Sequence, residues 1–315
     1  MSVPASAVKA VPKPRVILGN DKAERMPGPF LTLLFGVEGI GKSTFGSECP
    51  APKVIDLERR TKHLAIARVP EPEDGWTWPD VLEAIRLFET EPHDRRTLVV
   101  DTLDELEALL WKYMCQKDKK ENIEAYGYGK GYQAALDEWR VFMAAIERLQ
   151  NRRGMNVLLT AHCLVKTFKN PEGDDYDRYQ PKINDKAAGY LKGKVYDVLF
   201  AIEETYAVKK DPNSKTERAK GVTTGEHVIY TTRTPGHDGK NSHNLPEQMK
   251  LSAAAYVAAV QAFYATSAED LRKQAEAGIA KMPEKLRAEA TSALGRADTD
   301  LKLGQLLGWI RNNAA

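Results

Sequence analysis

The sequence predicts an α/β protein built on a mainly parallel sheet with helices on both faces. Three observations carry this. Short, continuous apolar runs alternate with amphipathic stretches of helical length, the pattern of strands buried on both sides and joined by crossover helices. A glycine-rich loop ending in Lys-Ser follows the first run directly. Several runs also end in a carboxylate or another polar side chain, at the strand edge where open α/β sheets bind ligands.

Residues 1–28 hold Pro4, Pro12, Pro14 and Pro27, and Lys9, Lys13, Arg15, Lys22 and Arg25 oppose only Asp21 and Glu24. This predicts an irregular basic arm with a short strand at 15–18. The core is expected over 29–265. Its strands are predicted at 30–35, 54–57, 97–100, 156–161 and 197–202, with helices at about 80–90, 103–117 and 132–152. Runs at 206–210 and 227–233 flank a polar stretch rich in Lys and Gly and predict antiparallel additions at the sheet edge. Pro246 precedes a helix of small residues at 253–263. Beyond 267 the composition shifts to Ala, Leu, Glu, Lys and Arg, so 266–315 is predicted to be a small helical appendage. Its apolar stripe of Leu301, Leu303, Leu306, Leu307, Trp309 and Ile310 is expected to pack on the core or within a small bundle.

Composition narrows the class. At 315 residues, 42% hydrophobic and 29% charged, the chain reads as an ordinary globular protein of one large or two modest domains. Lys and Arg number 46 against 44 Asp and Glu, a net charge of +2. Any nucleic-acid surface must therefore be a local patch. Cys49, Cys115 and Cys163 lie far apart with no Cys-x-x-Cys spacing. That argues against a disulfide framework or a cysteine zinc site and for a reducing compartment. No apolar run approaches the roughly 18 residues of a membrane span, and the N-terminus has no apolar signal core. The expectation is a cytoplasmic protein with no membrane partner.

Gly36-Val37-Glu38-Gly39-Ile40-Gly41-Lys42-Ser43 satisfies G-x-x-x-x-G-K-[ST], with an apolar strand before it and a helical start from Thr44 after it. The glycines let backbone N–H groups curl around phosphate at the positive end of a helix. Lys42 is expected to reach the β- and γ-phosphates, and the Ser43 hydroxyl to ligate Mg²⁺. The chemistry this predicts is ATP and Mg²⁺ binding, with Gly36, Glu38, Gly39, Gly41, Lys42, Ser43 and Thr44 forming the cradle.

Thr97-Leu98-Val99-Val100-Asp101 is an apolar strand ending in acid. After a phosphate loop, Asp101 suits the second Mg²⁺-positioning role; on its own it would read as a cap for the helix starting near Leu103. Val54-Ile55-Asp56-Leu57-Glu58 is another. Glu58 suits a base for the attacking water, and equally a solvated carboxylate beside Arg59 and Arg60. His162 ends the run 157–161 and suits a γ-phosphate sensor, although a histidine there is also often structural.

This order of strand ends resembles the RecA-like ATPase core. Gly36–Thr44, Leu98–Leu103, the Tyr126-Gly127-Tyr128-Gly129-Lys130-Gly131-Tyr132 segment and Asn156–His162 are more specifically similar to phage Sak-type, RecA-like single-strand annealing proteins. The similarity covers roughly 29–250. It implies ATP-linked binding and annealing of single-stranded DNA in phage recombination, within the bacterial host cytoplasm and beside a single-strand-binding protein. It also implies Glu58, Lys42 and His162 as the catalytic set. His162 departs from the glutamine usual at the RecA sensor position.

RecA-like cores hold DNA with loops that follow the Walker B helix and the sensor strand. Here these are Tyr126, Tyr128, Lys130 and Tyr132, then Lys166, Phe168, Lys169, Arg178, Tyr179 and Lys182. Aromatic faces stack on bases and cations meet phosphate. The resemblance further implies a homo-oligomer, a ring or filament, with Arg233 and Lys240 as candidates to reach a neighbour's nucleotide. Two other readings stay open: a RecA-fold helicase or translocase, and a nucleotide-gated protein-interaction scaffold.

Overall fold

The computed structural model describes residues 27–208, 220–265 and 268–297, together with Leu303, Leu306, Leu307, Trp309 and Ile310. The basic arm up to residue 26, Lys210 and Leu301 lie outside the described residues. In chain order the elements are β1 (Leu31–Gly36), α1 (Lys42–Ser47), β2 (Pro52–Asp56), β3 (Ala67–Arg68), α2 (Trp78–Thr90) and β4 (Thr97–Asp101). There follow α3 (Leu103–Lys117), α4 (Lys130–Arg153), β5 (Asn156–Phe168), β6 (Tyr176–Pro181), α5 (Asp185–Lys194) and β7 (Asp197–Val208). The remainder is β8 (Lys220–Tyr230), β9 (Lys240–Asn241), β10 (Gln248–Lys250), α6 (Ala253–Ala265), α7 (Ala268–Ile279) and α8 (Glu284–Arg296).

The sheet runs β10-β8-β7-β1-β5-β4-β2-β3. Its centre, from β7 to β3, is parallel, while β8 and β10 extend one edge antiparallel. Successive residues of β1 alternate between two cores. Leu31, Leu33 and Phe35 face the layer of α2, α3, α4 and α5, and Leu34 faces the layer of α1 and α6. Val99 against Leu98 and Val100, and Leu158 against Val157 and Leu159, repeat the division. Burial on both faces is why these strands read as unbroken apolar runs rather than as alternation.

Local chemistry sets the helix ends. Thr77 and Asp80 form a capping box at the start of α2, which satisfies backbone N–H groups the first turn leaves unpaired. Gly154 closes α4 with φ of 63°, a left-handed position that costs glycine nothing. Trp78 then locks α2 onto α4, meeting Trp139 edge-on at 5.6 Å and Phe142 at a tilt at 6.0 Å. On the other face, buried Asp197 accepts hydrogen bonds from Tyr256 OH at 2.7 Å and His243 Nδ1 at 2.6 Å, tying α6 to the sheet.

Two expectations change. The runs predicted at 197–202 and 206–210 are one continuous strand through Val208. The segment after His162, expected as a loop, is an antiparallel hairpin in which β5 continues to Phe168 and pairs with β6. The tail residues Leu271, Ala275, Ile279, Leu303, Leu306, Leu307 and Ile310 make a separate apolar cluster. Among the described residues, no helix is long and apolar enough to cross a membrane.

Candidate functional site

The site lies where β1, β2, β4 and β5 end side by side. The register pairs Gly36 with His162 and Asp56 with Asp101. The sheet therefore delivers the glycine loop, both acidic strand ends and His162 to one edge. Gly36 is required by packing: a Cβ there would sit 2.2 Å from the carbonyl oxygen of Ala201 on β7. Gly39 and Gly41 are required by conformation, with φ of +74° and +109°. They turn the chain from β1 into α1, whose N-terminus carries no side-chain cap.

Lys42 is buried and donates to the carbonyls of Gly36 at 3.1 Å and Val37 at 2.9 Å. Burial lowers its pKa, and Asp101 and Glu58 oppose that shift. The Ser43 hydroxyl donates to Asp101 Oδ2 at 2.7 Å, and the Thr160 hydroxyl donates to Asp101 Oδ1. Thr160 thereby orients the acid from the neighbouring strand. The turn after β2 is anchored by Asp56, which accepts from Arg60 N, Thr61 N and the Thr61 hydroxyl. That anchor fixes the turn carrying Glu58, two residues past the end of β2.

Glu58 Oε1 accepts from the Thr102 hydroxyl at 3.2 Å and lies 3.3 Å from His162 Nδ1. Asp104, in the first turn of α3, accepts from the His162 backbone N–H at 3.0 Å and from its Nδ1 at 2.8 Å. Burial pushes the Glu58 carboxyl up, with His162 pulling the other way. The hydrogen bond to Asp104 holds the His162 pKa above its ordinary value. Burial pushes Asp104 up, but its bonds to the His162 ring and backbone outweigh that and leave it low.

A cavity of about 210 Å³ is lined by the glycine loop, Lys42, Ser43, Glu58, Asp101 and His162. A second of about 430 Å³ adjoins it at Glu58 and His162 and extends to Trp76 and Lys182. The donor set fits a nucleoside triphosphate with Mg²⁺. Nothing lies within 4 Å of where a Cβ would stand at Gly39, which leaves the loop open as a cradle. The Ser43 and Asp101 oxygens are the hard donors Mg²⁺ prefers. The sequence reading gave no site role to Asp104, Thr160, Thr102, Arg60 or His63, the last three lining the smaller cavity. Only Asp104 had a signal, its three-residue spacing from Asp101 at a helix start.

The outlying candidates take different places. Tyr126 is half-buried, its hydroxyl donating to the Met114 carbonyl and to Asp118. Tyr132 donates to Glu124 and packs edge-on against Trp111. Tyr128 is fully exposed, at φ of 48° between Gly127 and Gly129, both also left-handed. Lys130, exposed, opens α4. On the hairpin, Lys166 pairs with Asp185 at 2.5 Å and Lys169 with Asp175. Phe168 lies under the Arg178 and Arg233 guanidinium groups.

Two expectations are corrected. Arg178 is buried, paired with Asp238 and bonded to the Pro235 carbonyl, so it braces the hairpin instead of facing a ligand. Tyr179 stacks on Phe200 beside it. Lys240 donates to the carbonyls of Lys192, Gly193 and Val195. It is occupied capping the C-terminus of α5. Lys182 remains exposed, its backbone N–H donating to the His162 carbonyl. The first turn of α5 touches both outlying segments, since Asp185 pairs with Lys166 and Lys186 reaches Gln133.

A parallel sheet with a glycine loop after β1, an acid at the end of β4 and a histidine on the strand between them defines a RecA-like P-loop NTPase fold. The chain belongs to the AAA domain family AAA_24, whose model matches residues 30–243. Among solved structures, it is similar to the flagellar accessory protein FlaH from Methanocaldococcus jannaschii. That likeness has a TM-score of 0.34 and 10% identity and covers 68% of this chain and 84% of that one. No curated protein matches the sequence.

Proposed function

We propose that the protein is an ATPase that binds and anneals single-stranded DNA in the manner of phage Sak-type recombination proteins, working as a homo-oligomer beside a single-strand-binding protein. The observation that carries the reading is β5 itself. One unbroken strand runs from His162, against Glu58, to the aromatic tip at Phe168. A change at the phosphate end of the cleft therefore has a stiff path to the hairpin. Tyr128 adds an aromatic ring with no burial of its own, suited to stacking on a base of any sequence.

Within that reading, Ser43 and Asp101 hold Mg²⁺, which neutralises phosphate charge when bound. Lys42 brings a second positive charge to the phosphates. Glu58 accepts the proton of the attacking water, and His162 touches the terminal phosphate. The internal pairing of Lys166 and Lys169 favours, as a second reading, a nucleotide-gated scaffold for protein partners.

Fluorescence anisotropy on single-stranded DNA separates the two. With ATP and Mg²⁺ the wild type is expected to bind more tightly than with ADP or no nucleotide, and Lys42→Ala to lose the difference. Tyr128→Ala is expected to weaken binding by roughly 1–3 kcal/mol, the worth of one stacked base. No DNA binding in any nucleotide state would overturn the annealing reading and leave the scaffold.

A further inference from the structure

The sensor position poses a chemical problem. A phosphate oxygen accepts hydrogen bonds, so whatever senses it must donate. Glutamine always has an amide N–H to offer; a neutral histidine has one N–H and one bare acceptor nitrogen. In this protein Nδ1 is already committed, 2.8 Å from Asp104 Oδ2 and 3.3 Å from Glu58 Oε1. Between two carboxylates Nδ1 carries the proton. Nε2 is then the nitrogen left for a ligand, and it donates only when the ring is protonated at both ends.

We propose that Asp104 is a positioning residue for nucleotide hydrolysis, gripping His162 at backbone and ring so that Nε2 is presented as a donor to the terminal phosphate. The inference rests on the reading of Glu58 as base and His162 as sensor. Asp104 is suited to the task by its place: the first turn of α3 is rigid, and its two oxygens take separate bonds, Oδ1 from the His162 N–H and Oδ2 from the ring. One carboxylate oxygen each of Glu58 and Asp104 and a ring nitrogen of His162 all lie within 4.8 Å of one another. The grip on the ring is therefore also a grip on its distance from Glu58. The raised pKa of His162, caused first by the Asp104 bond, agrees with the geometry.

Other charges face the ring. Lys42 on α1 opposes protonation and Glu58 favours it. Glu38 follows β1, Arg59, Arg60 and His63 follow β2, Asp101 ends β4, Glu105 lies on α3 and Lys182 follows β6; all line the two adjoining cavities that His162 faces. Glu107, one turn further along α3, titrates near neutrality and feels Asp104. A shift in a pH profile must therefore be assigned to His162 directly.

The sign follows from which form works. Hydrolysis needs Glu58 deprotonated and His162 doubly protonated, so the rate rises with pH through Glu58 and falls through His162. Removing the Asp104 charge lowers the His162 pKa and brings the alkaline fall to lower pH. The experiment measures kcat against pH for wild type, Asp104→Asn, His162→Gln and Glu58→Gln, with the His162 ring titrated by NMR. The expected result is an alkaline limb moved acid by about one to three pH units in Asp104→Asn, the usual effect of losing one close carboxylate. The His162 titration moves with it, and the limb is absent in His162→Gln, whose amide donates at every pH.

An Asp104→Asn limb and His162 titration that stay where the wild type has them would overturn the inference. So would an alkaline limb that persists in His162→Gln. The Glu58→Gln variant tests the underlying reading separately. Hydrolysis near the wild-type rate in that variant removes Glu58 as base, whereas its loss together with an unmoved Asp104→Asn limb sinks only the role of Asp104. Should Asp104→Asn fold poorly, Asp104→Glu keeps the charge and is expected to keep the limb.

Discussion

Glu107 illustrates how a single burial decides a protonation state. It is almost wholly buried on α3, and both its oxygens receive the Asn184 backbone N–H, at 2.9 and 3.2 Å. Burial pushes its pKa up to about 7, the Asn184 bond pulls it back and nearby Asp104 raises it further. The folded value thus stands above the unfolded one. Below about pH 4.5 both states hold the proton and the stabilisation is complete. As pH climbs towards 7 the unfolded chain gives up its proton first, so stability falls with pH and the contribution is gone above the folded pKa. The shift from 4.5 to about 7 is worth up to roughly 3 kcal/mol. Glu107→Gln has no proton to lose and still accepts from Asn184. Urea unfolding is expected to show it more stable than the wild type at pH 8, by up to about 3 kcal/mol, with the gap closing at pH 4.5. An equal gap at both pH values would mean that Glu107 does not titrate in this range.

At the scale of elements, the hairpin of β5 and β6 separates bracing residues from surface ones. Arg178 and Tyr179 face the body of the protein, whereas Lys166 and Lys169 sit in exposed ion pairs. Such pairs contribute little to stability and open readily. Lys166→Ala/Lys169→Ala is expected to melt within a degree or two of the wild type. If the proposed annealing function holds, its affinity for single-stranded DNA should be weaker, and its salt slope shallower by about 1.4, some 0.7 for each lost phosphate contact. Unchanged affinity and slope would take the hairpin out of the DNA surface.

These same elements show what the sequence makes legible. Strands buried on both faces announce themselves as apolar runs, and Gly36, Gly39, Gly41, Lys42 and Ser43 announce a phosphate loop because each answers a local demand. Arg178 and Lys240 look like free cations in sequence because their partners, Asp238 and the carbonyls ending α5, are distant in the chain or belong to the backbone. The Asp104 grip on His162 spans 58 residues. It exists only because β4 and β5 are neighbours in the sheet, a fact of topology that no window of sequence contains. The Asp197–His243–Tyr256 cluster is invisible for the same reason.

For the whole molecule the question is where the nucleotide-binding body ends. The family match stops at residue 243, but the physical core does not. Tyr256 on α6 packs against Phe30 and Phe45 and donates to Asp197, while Ala253 and Val260 bury beside it. A chain cut at residue 250 would strip one face of the sheet and leave Asp197 with His243 and the Ser242 N–H as its remaining partners. Exposing that apolar face and uncovering a buried carboxylate each cost several kcal/mol by general measures, enough to unfold a marginally stable domain. A cut at 265 removes different material. Leu271, Ala275, Ile279, Leu306 and Ile310 share no cluster with the sheet, so their loss uncovers little of it. The chain ending at 265 is therefore expected to fold, to bind a fluorescent ATP analogue within about threefold of the full-length affinity, a difference under 1 kcal/mol, and to melt cooperatively. The chain ending at 250 is expected to do none of these. If the longer truncation also loses nucleotide binding while remaining folded by circular dichroism, the terminal helices act on the cleft, and the division near 265 is wrong.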